Sequence, residues 1–178
     1  MRARIAALVE ARGLSRRVHL LGAVPYAELA GTAAGADLGL VVLDPAIPNN
    51  RVSLPNRVFD YMAAGLPVCA PDIPDIARIL RERDMGVVVE TLDATGWAAA
   101  IAAALAREEA MRANARAAAR EMVWEKLEEP LHAALGRPAS VTFYGFYDLT
   151  RNNRTLRMAT SLAKRGTAVT ICTYAAGP

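Results

Sequence analysis

The stretch Ser53-Leu54-Pro55-Asn56-Arg57-Val58-Phe59-Asp60 carries the chain's clearest chemistry. A loop ending in proline opens a helix here, since proline suits a first helical turn, and Gly65 marks the helix end. The first turn of a helix offers unpaired N–H groups and a partial positive charge, and both attract phosphate. Arg57 adds a full positive charge at the same end. Asp60 follows one turn later, where its carboxylate can accept hydrogen bonds from hydroxyl groups. The plainer reading of both residues is a solvated acid and a solvated cation on a helix surface. Asn49, Asn50 and Arg51 stand in a polar loop over 44–54, DPAIPNNRVSL, and read first as turn residues.

The elements that must hold this stretch alternate between helix and strand. Helical spacing predicts a helix over 2–12, with Ile5, Leu8 and Val9 on one side and Gly13 at its end. RVHLLG over 17–22 predicts a strand and 26–34 a helix. DLGLVVL over 37–43 is an apolar run of the kind buried on both faces. A helix over 55–64, a strand over 67–70, a helix over 74–83 and a strand over 86–90 follow. An Ala-rich helical stretch covers 94–106 and then 108–135. Alternation of this kind implies α/β architecture, a doubly wound, Rossmann-like parallel sheet that binds ligands at the carboxyl ends of its strands. Such a domain opens with a strand, whereas this order opens with a helix, so the first strand is absent from the pattern. Gly136-Arg137-Pro138 breaks the long helix and predicts a boundary, giving domains 1–137 and 138–178. Beyond it, Val141–Phe146 and Ala168–Thr173 predict strands flanking a helix over 153–165. In that helix Leu156, Ala159, Leu162 and Ala163 share a face. The result is an additional C-terminal βαβ unit, too small to bury two strands by itself.

The 178 residues carry a formal net charge of +3, too little to argue for a nucleic-acid partner. The charge is uneven: residues 1–138 hold 16 basic and 17 acidic residues, and residues 139–178 hold 5 and 1, so the tail is a distinct electrostatic object. Arg151, Arg154 and Arg157 could meet acidic lipid headgroups at a membrane periphery, although a solvated helix face is the commoner explanation. Cys69 and Cys172 sit in apolar runs and read as small buried hydrophobes. No Cys or His cluster has metal-ligand spacing, and no DxD run is present, so no metal is expected. The start lacks the apolar core of a signal peptide and no stretch has transmembrane length, which implies a cytoplasmic protein. His19 reads as structural, and Trp97 and Trp124 as core. No residue is assigned a catalytic role.

Leu54–Ile76, LPNRVFDYMAAGLPVCAPDIPDI, resembles the donor-site signature of bacterial GT-B glycosyltransferases of the retaining, sucrose-synthase-like group. Arg17–Leu29, Gly35–Leu43, Met85–Ala106 and Met122–Leu131 resemble further segments of that family in the same order. The resemblance covers about residues 2–135 and identifies them with the C-terminal, donor-binding half of such an enzyme. It implies a nucleotide-diphosphate sugar as donor, with its base near Gly22-Ala23-Val24, its ribose at Asp60 and its diphosphate at Ser53, Leu54, Asn56 and Arg57. The family places a glutamate where Asp60 stands, and often a second acid where Val52 stands. Its basic pair for the diphosphate follows a first strand that this chain does not show. Asp148–Thr173 resembles the first helix and second strand of the family's N-terminal, acceptor-binding domain.

The resemblance further implies no cofactor besides the donor substrate, and a glycan or lipid-linked acceptor held by a missing domain, as in bacterial cell-surface polysaccharide biosynthesis. An open sheet position beside 37–43 is suited to Val141–Phe146 or to a strand of a second copy, which implies a homodimer or domain swap. The first 178 residues alone should not complete transfer. Two other readings remain at this point: a nucleotide-sugar 2-epimerase of the same architecture, and a non-catalytic α/β interaction module.

Overall fold

The structure, a computed structural model, describes residues 2–136, 138–145 and 153–173. By packing, the chain divides into two compact units, Met1–Arg120 and Glu121–Pro178.

The first unit is built on a three-stranded parallel sheet in the order β1 (Gly39–Leu40), β2 (Val68–Pro71), β3 (Gly86–Val89). Every residue of β2 is buried, as its central position and its sequence VCAP require. Around the sheet run α1 (Arg2–Ala11), α2 (Tyr26–Ala34), α3 (Pro48–Arg51), α4 (Asn56–Ala63), α5 (Pro74–Arg83), α6 (Ala94–Leu105) and α7 (Glu108–Glu121). Helix α5 starts on Pro74 and buries Ile76, Ala77, Ile79 and Leu80 against β2 and β3. It ends on Asp84, which takes the left-handed cap conformation at φ 45° more often given to glycine or asparagine. Asp93 caps α6 by accepting from the Gly96 amide at 2.8 Å. Ala100 and Ala104 of α6 then pack with Cys69, Val89 and Met111, and Trp97 lies half-buried against them, as a core residue should. Burial pushes the Cys69 thiol up to about 11, so this cysteine is an inert hydrophobe.

Four expectations need correction. The segment 17–22 forms no strand. The carbonyls of Leu20 and Leu21 accept the Arg2 guanidinium at 2.7 and 2.6 Å, and a strand needs a neighbouring strand that this segment does not have. The run 37–43 contributes only Gly39–Leu40 to the sheet, and it is not buried on both faces. Val41 is fully buried but Val42 is 62% exposed, because β1 is an edge with β2 on one side only. The loop over 44–54 contains the short helix α3. The helical stretch 108–135 is two helices, since Val123 is extended and restarts the chain as α8 (Trp124–Leu135).

The second unit contains α8, β4 (Ser140–Gly145), α9 (Asn153–Lys164) and β5 (Ala168–Thr173). β4 and β5 pair in parallel over their whole length, with α9 as the crossover. The expected βαβ unit is therefore present, while Arg137, Phe146, Asp148 and Arg151 lie outside the described residues. β4 pairs with β5 in a sheet separate from β1, and so does not occupy the position beside β1. The buried face of α9 is Thr155, Ala159, Ser161 and Leu162, whereas Leu156 and Ala163 are exposed. Ser161 tolerates burial because its hydroxyl meets His132 Nε2 at 2.9 Å. Arg165 also reaches back to Glu129 of α8. These contacts place α8 with the tail strands, so the packing boundary falls before the break at Gly136–Pro138.

Candidate functional site

Helix α4 follows directly from the loop at the carboxyl end of β1. Asp44 shapes the start of that loop: its Oδ1 accepts the Ala46 amide at 2.8 Å and its carbonyl accepts Asn50 Nδ2 at 2.9 Å. The Ser53 hydroxyl donates to the Asn50 carbonyl at 3.0 Å. Asn50 and Ser53 thus hold the turn, which is the plainer of the roles open to Asn50.

Pro55 occupies the N-cap of α4, and no side chain caps the helix. No acid stands in its first turn either, so nothing there neutralises the positive end of the helix. Arg57 is exposed and has no ion-pair partner among the described residues. Val58 and Met62 point into the core and fix the helix's rotation. That rotation leaves Asp60 half-buried, and burial pushes its carboxyl above the ordinary aspartate value. No hydrogen bond or ion pair to a described residue offsets that burial. A half-buried carboxylate without a partner close to an uncapped helix N-terminus is an acceptor waiting for donors.

Helix α2 packs against α4, and Ala23 and Val24 lie in the segment that leads into α2. Ala23 is exposed and Val24 half-buried. Ser53, Leu54, Asn56, Arg57 and Asp60 are gathered by chain continuity. Ala23 and Val24 join them only through the α2–α4 packing, and no described hydrogen bond links the two sets. His19 is exposed and outside any strand. Among the described residues no three His, Cys, Asp or Glu gather in a way that could hold a metal ion, and no helix is long and apolar enough to cross a membrane.

Two residues that position α4 carry no signal in the sequence. The ring of Tyr61 lies over Gly39, where an added Cβ would sit 2.4 Å from it, so that glycine permits α4 to approach β1. Arg112 of α7 is a bracket. It pairs with Glu108 at 2.6 Å and donates to the carbonyls of Gly65, just past α4, and Ala36, just before β1. With its side chain only 18% exposed, replacement by alanine leaves these acceptors and the Glu108 carboxylate unmatched. Arg112→Ala is expected to lower stability by about 1–3 kcal/mol. Urea unfolding followed by Trp97 fluorescence checks this, and a midpoint equal to wild type would mean that the bracket is ornamental.

A parallel sheet whose carboxyl-end loop feeds an uncapped helix bearing Arg57 and Asp60 defines an α/β ligand-binding domain of the Rossmann-like kind. The model of the family "Glycosyl transferases group 1" matches residues 1–107, and the chain belongs to that family of GT-B enzymes. It is similar to the D-inositol 3-phosphate glycosyltransferase of Geodermatophilus obscurus, 35% identical over 88 residues, which are 49% of this chain and 20% of that protein. It is also similar to the D-inositol 3-phosphate glycosyltransferase of Segniliparus rotundus, 30% identical over 133 residues, which are 73% of this chain and 28% of that protein. The chain therefore spans less than a third of the length of these relatives. No solved structure matches it.

Proposed function

We propose that residues 1–137 are the donor-binding domain of a retaining, sucrose-synthase-like glycosyltransferase, and that the donor is a nucleotide-diphosphate sugar. In this reading residues 138–178 belong to an acceptor-type domain. The carrying observation is the half-buried carboxylate of Asp60, unpartnered among the described residues, one turn beyond an uncapped helix start that bears Arg57. Asp60 accepts from the ribose hydroxyls. The first-turn amides of α4 and the Arg57 guanidinium meet the diphosphate, with Ser53 and Leu54 lining the approach and the base near Ala23 and Val24. Leaving-group charge is then stabilised by helix N–H groups and cationic side chains, without a metal ion. The acceptor is a sugar or polyol hydroxyl, and an inositol phosphate belongs in the first panel tested because the two relatives bear that name.

Titration calorimetry with uridine and guanosine diphosphates tests the reading. Asp60→Ala is expected to weaken binding by about 1–3 kcal/mol, or roughly 5- to 150-fold. Asp60→Asn separates this role from a structural one. The folded state holds the Asp60 proton more tightly than the unfolded chain, so its stabilising contribution is present at low pH and declines as pH rises through the folded-state value. Asp60→Asn should therefore be slightly more stable than wild type at pH 7, with the gap closing in acid, and yet bind the nucleotide less well. Equal affinity of all three proteins removes Asp60 from the site.

A further inference from the structure

We infer that the open edge of β1 is the seat of one more parallel β-strand, joined to the N-terminus of α1 and lying between β1 and residues 18–21. Three separate features of the first unit are each incomplete in a way that this one strand completes.

The first is the edge itself. The Gly39 and Val41 amides donate to Pro67 and Cys69 of the β2 side at 2.9 Å each. In a parallel ladder alternate residues face alternate neighbours, so the peptide groups of Leu40 and Val42 face away from β2. On that side the Leu40 carbonyl has only a long contact to the Tyr61 hydroxyl, at 3.4 Å. The side chains of Leu40 and Val42 are 37% and 62% exposed, which is too much for apolar residues of an interior strand.

The second is the extended segment after α1. The amides of His19, Leu20 and Leu21 donate to no described backbone carbonyl, and the carbonyls of Leu20 and Leu21 are held only by the Arg2 side chain. The sequence here has the apolar content of a strand, and what it lacks is a strand beside it.

The third is α1. It buries no residue at all, and Ile5 and Leu8 are 41% and 53% exposed. Helical spacing puts Ile5, Leu8 and Val9 on one side, so the helix has a core-facing side and no core beneath it.

Chain order selects the occupant. A strand, a helix and a second strand parallel to it form a right-handed crossover in nearly every protein, with the helix packed over the two strands. If the strand precedes α1, then α1 is that crossover helix and 18–21 is the second strand. The first strand's free edge then falls against β1. A strand from a second copy could pair with β1, but it would not be followed by α1 and would leave the Ile5–Leu8 side bare. The sequence similarity agrees with a longer polypeptide, since the matched stretches occupy only 20% and 28% of the two relatives.

The test compares the 178-residue chain as it stands with versions extended at the N-terminus. Two extensions carry a five-residue Val-rich or Ile-rich strand followed by a Gly-containing turn, and a control carries Gly and Ser at the same length. Amide hydrogen exchange, thermal unfolding and mass by light scattering are read for all four. Either apolar extension should slow exchange at Leu40, Val42, Leu20 and Leu21 by about tenfold or more and raise Tm by about 4 °C or more, in a monomer. Exchange and Tm equal to the Gly/Ser control in both apolar versions overturns the proposal. So does an unextended chain that is already dimeric with Leu40 and Val42 protected, which would assign the edge to a second copy.

Discussion

Mixed with a nucleotide-diphosphate sugar and an acceptor, residues 1–178 alone are expected to transfer no sugar. Transfer requires the anomeric carbon and the acceptor hydroxyl to be held within a few ångströms and in line. That positioning is worth about 7–11 kcal/mol of the barrier. Enzymes of the GT-B kind achieve it in a cleft between two domains. The second unit offers two paired strands, β4 and β5, with α9 between them, which is one βαβ repeat of an acceptor-type domain. One repeat has no wall from which to present a hydroxyl. A coupled assay for nucleoside diphosphate release, with sugar donors and inositol phosphate, glycan or lipid-linked acceptors, should show at most slow donor hydrolysis. Acceptor-dependent turnover on the order of 1 per second would contradict the two-domain requirement for this chain.

Gly86→Ala is expected to abolish cooperative folding of the first unit or to destabilise it by about 3 kcal/mol or more. Gly86 opens β3 opposite Val68. An added Cβ would lie 2.0 Å from the Val68 carbonyl oxygen and 3.0 Å from a methyl of Leu80. A flexible side chain can swing away from such a clash, but the Val68 carbonyl belongs to the central strand. Relief therefore requires β3 to move off β2, and that exposes Leu80, Met85 and Val89, which are buried to within 1% of full cover. Overpacking of side chains alone costs about 1–3 kcal/mol, and a backbone clash costs more. Since domains are stable by only about 5–15 kcal/mol, the loss is a large share of the whole. Circular dichroism melting provides the measurement, and a transition within about 2 °C of wild type would show that the sheet adjusts freely. Leu80→Ala, at about 2–5 kcal/mol, calibrates the scale with a cavity in place of a clash.

What the sequence displayed, and what it concealed, follows the range of the forces involved. Helix α5 is legible to the residue because its stop and start signals are local: Pro74 sets the first turn and the apolar spacing of Ile76, Ile79 and Leu80 sets the face. β2 and β3 are legible because central strands are continuously apolar. The segment RVHLLG carries the same local signal, and yet it forms no strand, because a strand is a property of two chains and only one is present there. The same asymmetry holds at the site. The pairing of Arg57 with Asp60 on one helix can be read from spacing. The half-burial of Asp60 cannot, since it depends on how Val58 and Met62 seat the helix against β2. Arg112 was invisible because its carbonyl partners at Gly65 and Ala36 lie far away in sequence. The His132–Ser161 bond was hidden for the same reason, and with it the attachment of α8 to the second unit.

The claim that donor chemistry belongs to α4 is tested most directly by mapping backbone amide shifts of the 15N-labelled chain during titration with a nucleotide-diphosphate sugar. Binding as proposed moves the resonances of Asn56, Arg57 and Val58 at the start of α4 and those of Gly22, Ala23 and Val24, while α5 and the second unit stay unmoved. In Asp60→Ala the same residues should shift only at higher ligand concentration. Saturable shifts confined to other elements, with α4 silent, would contradict the assignment.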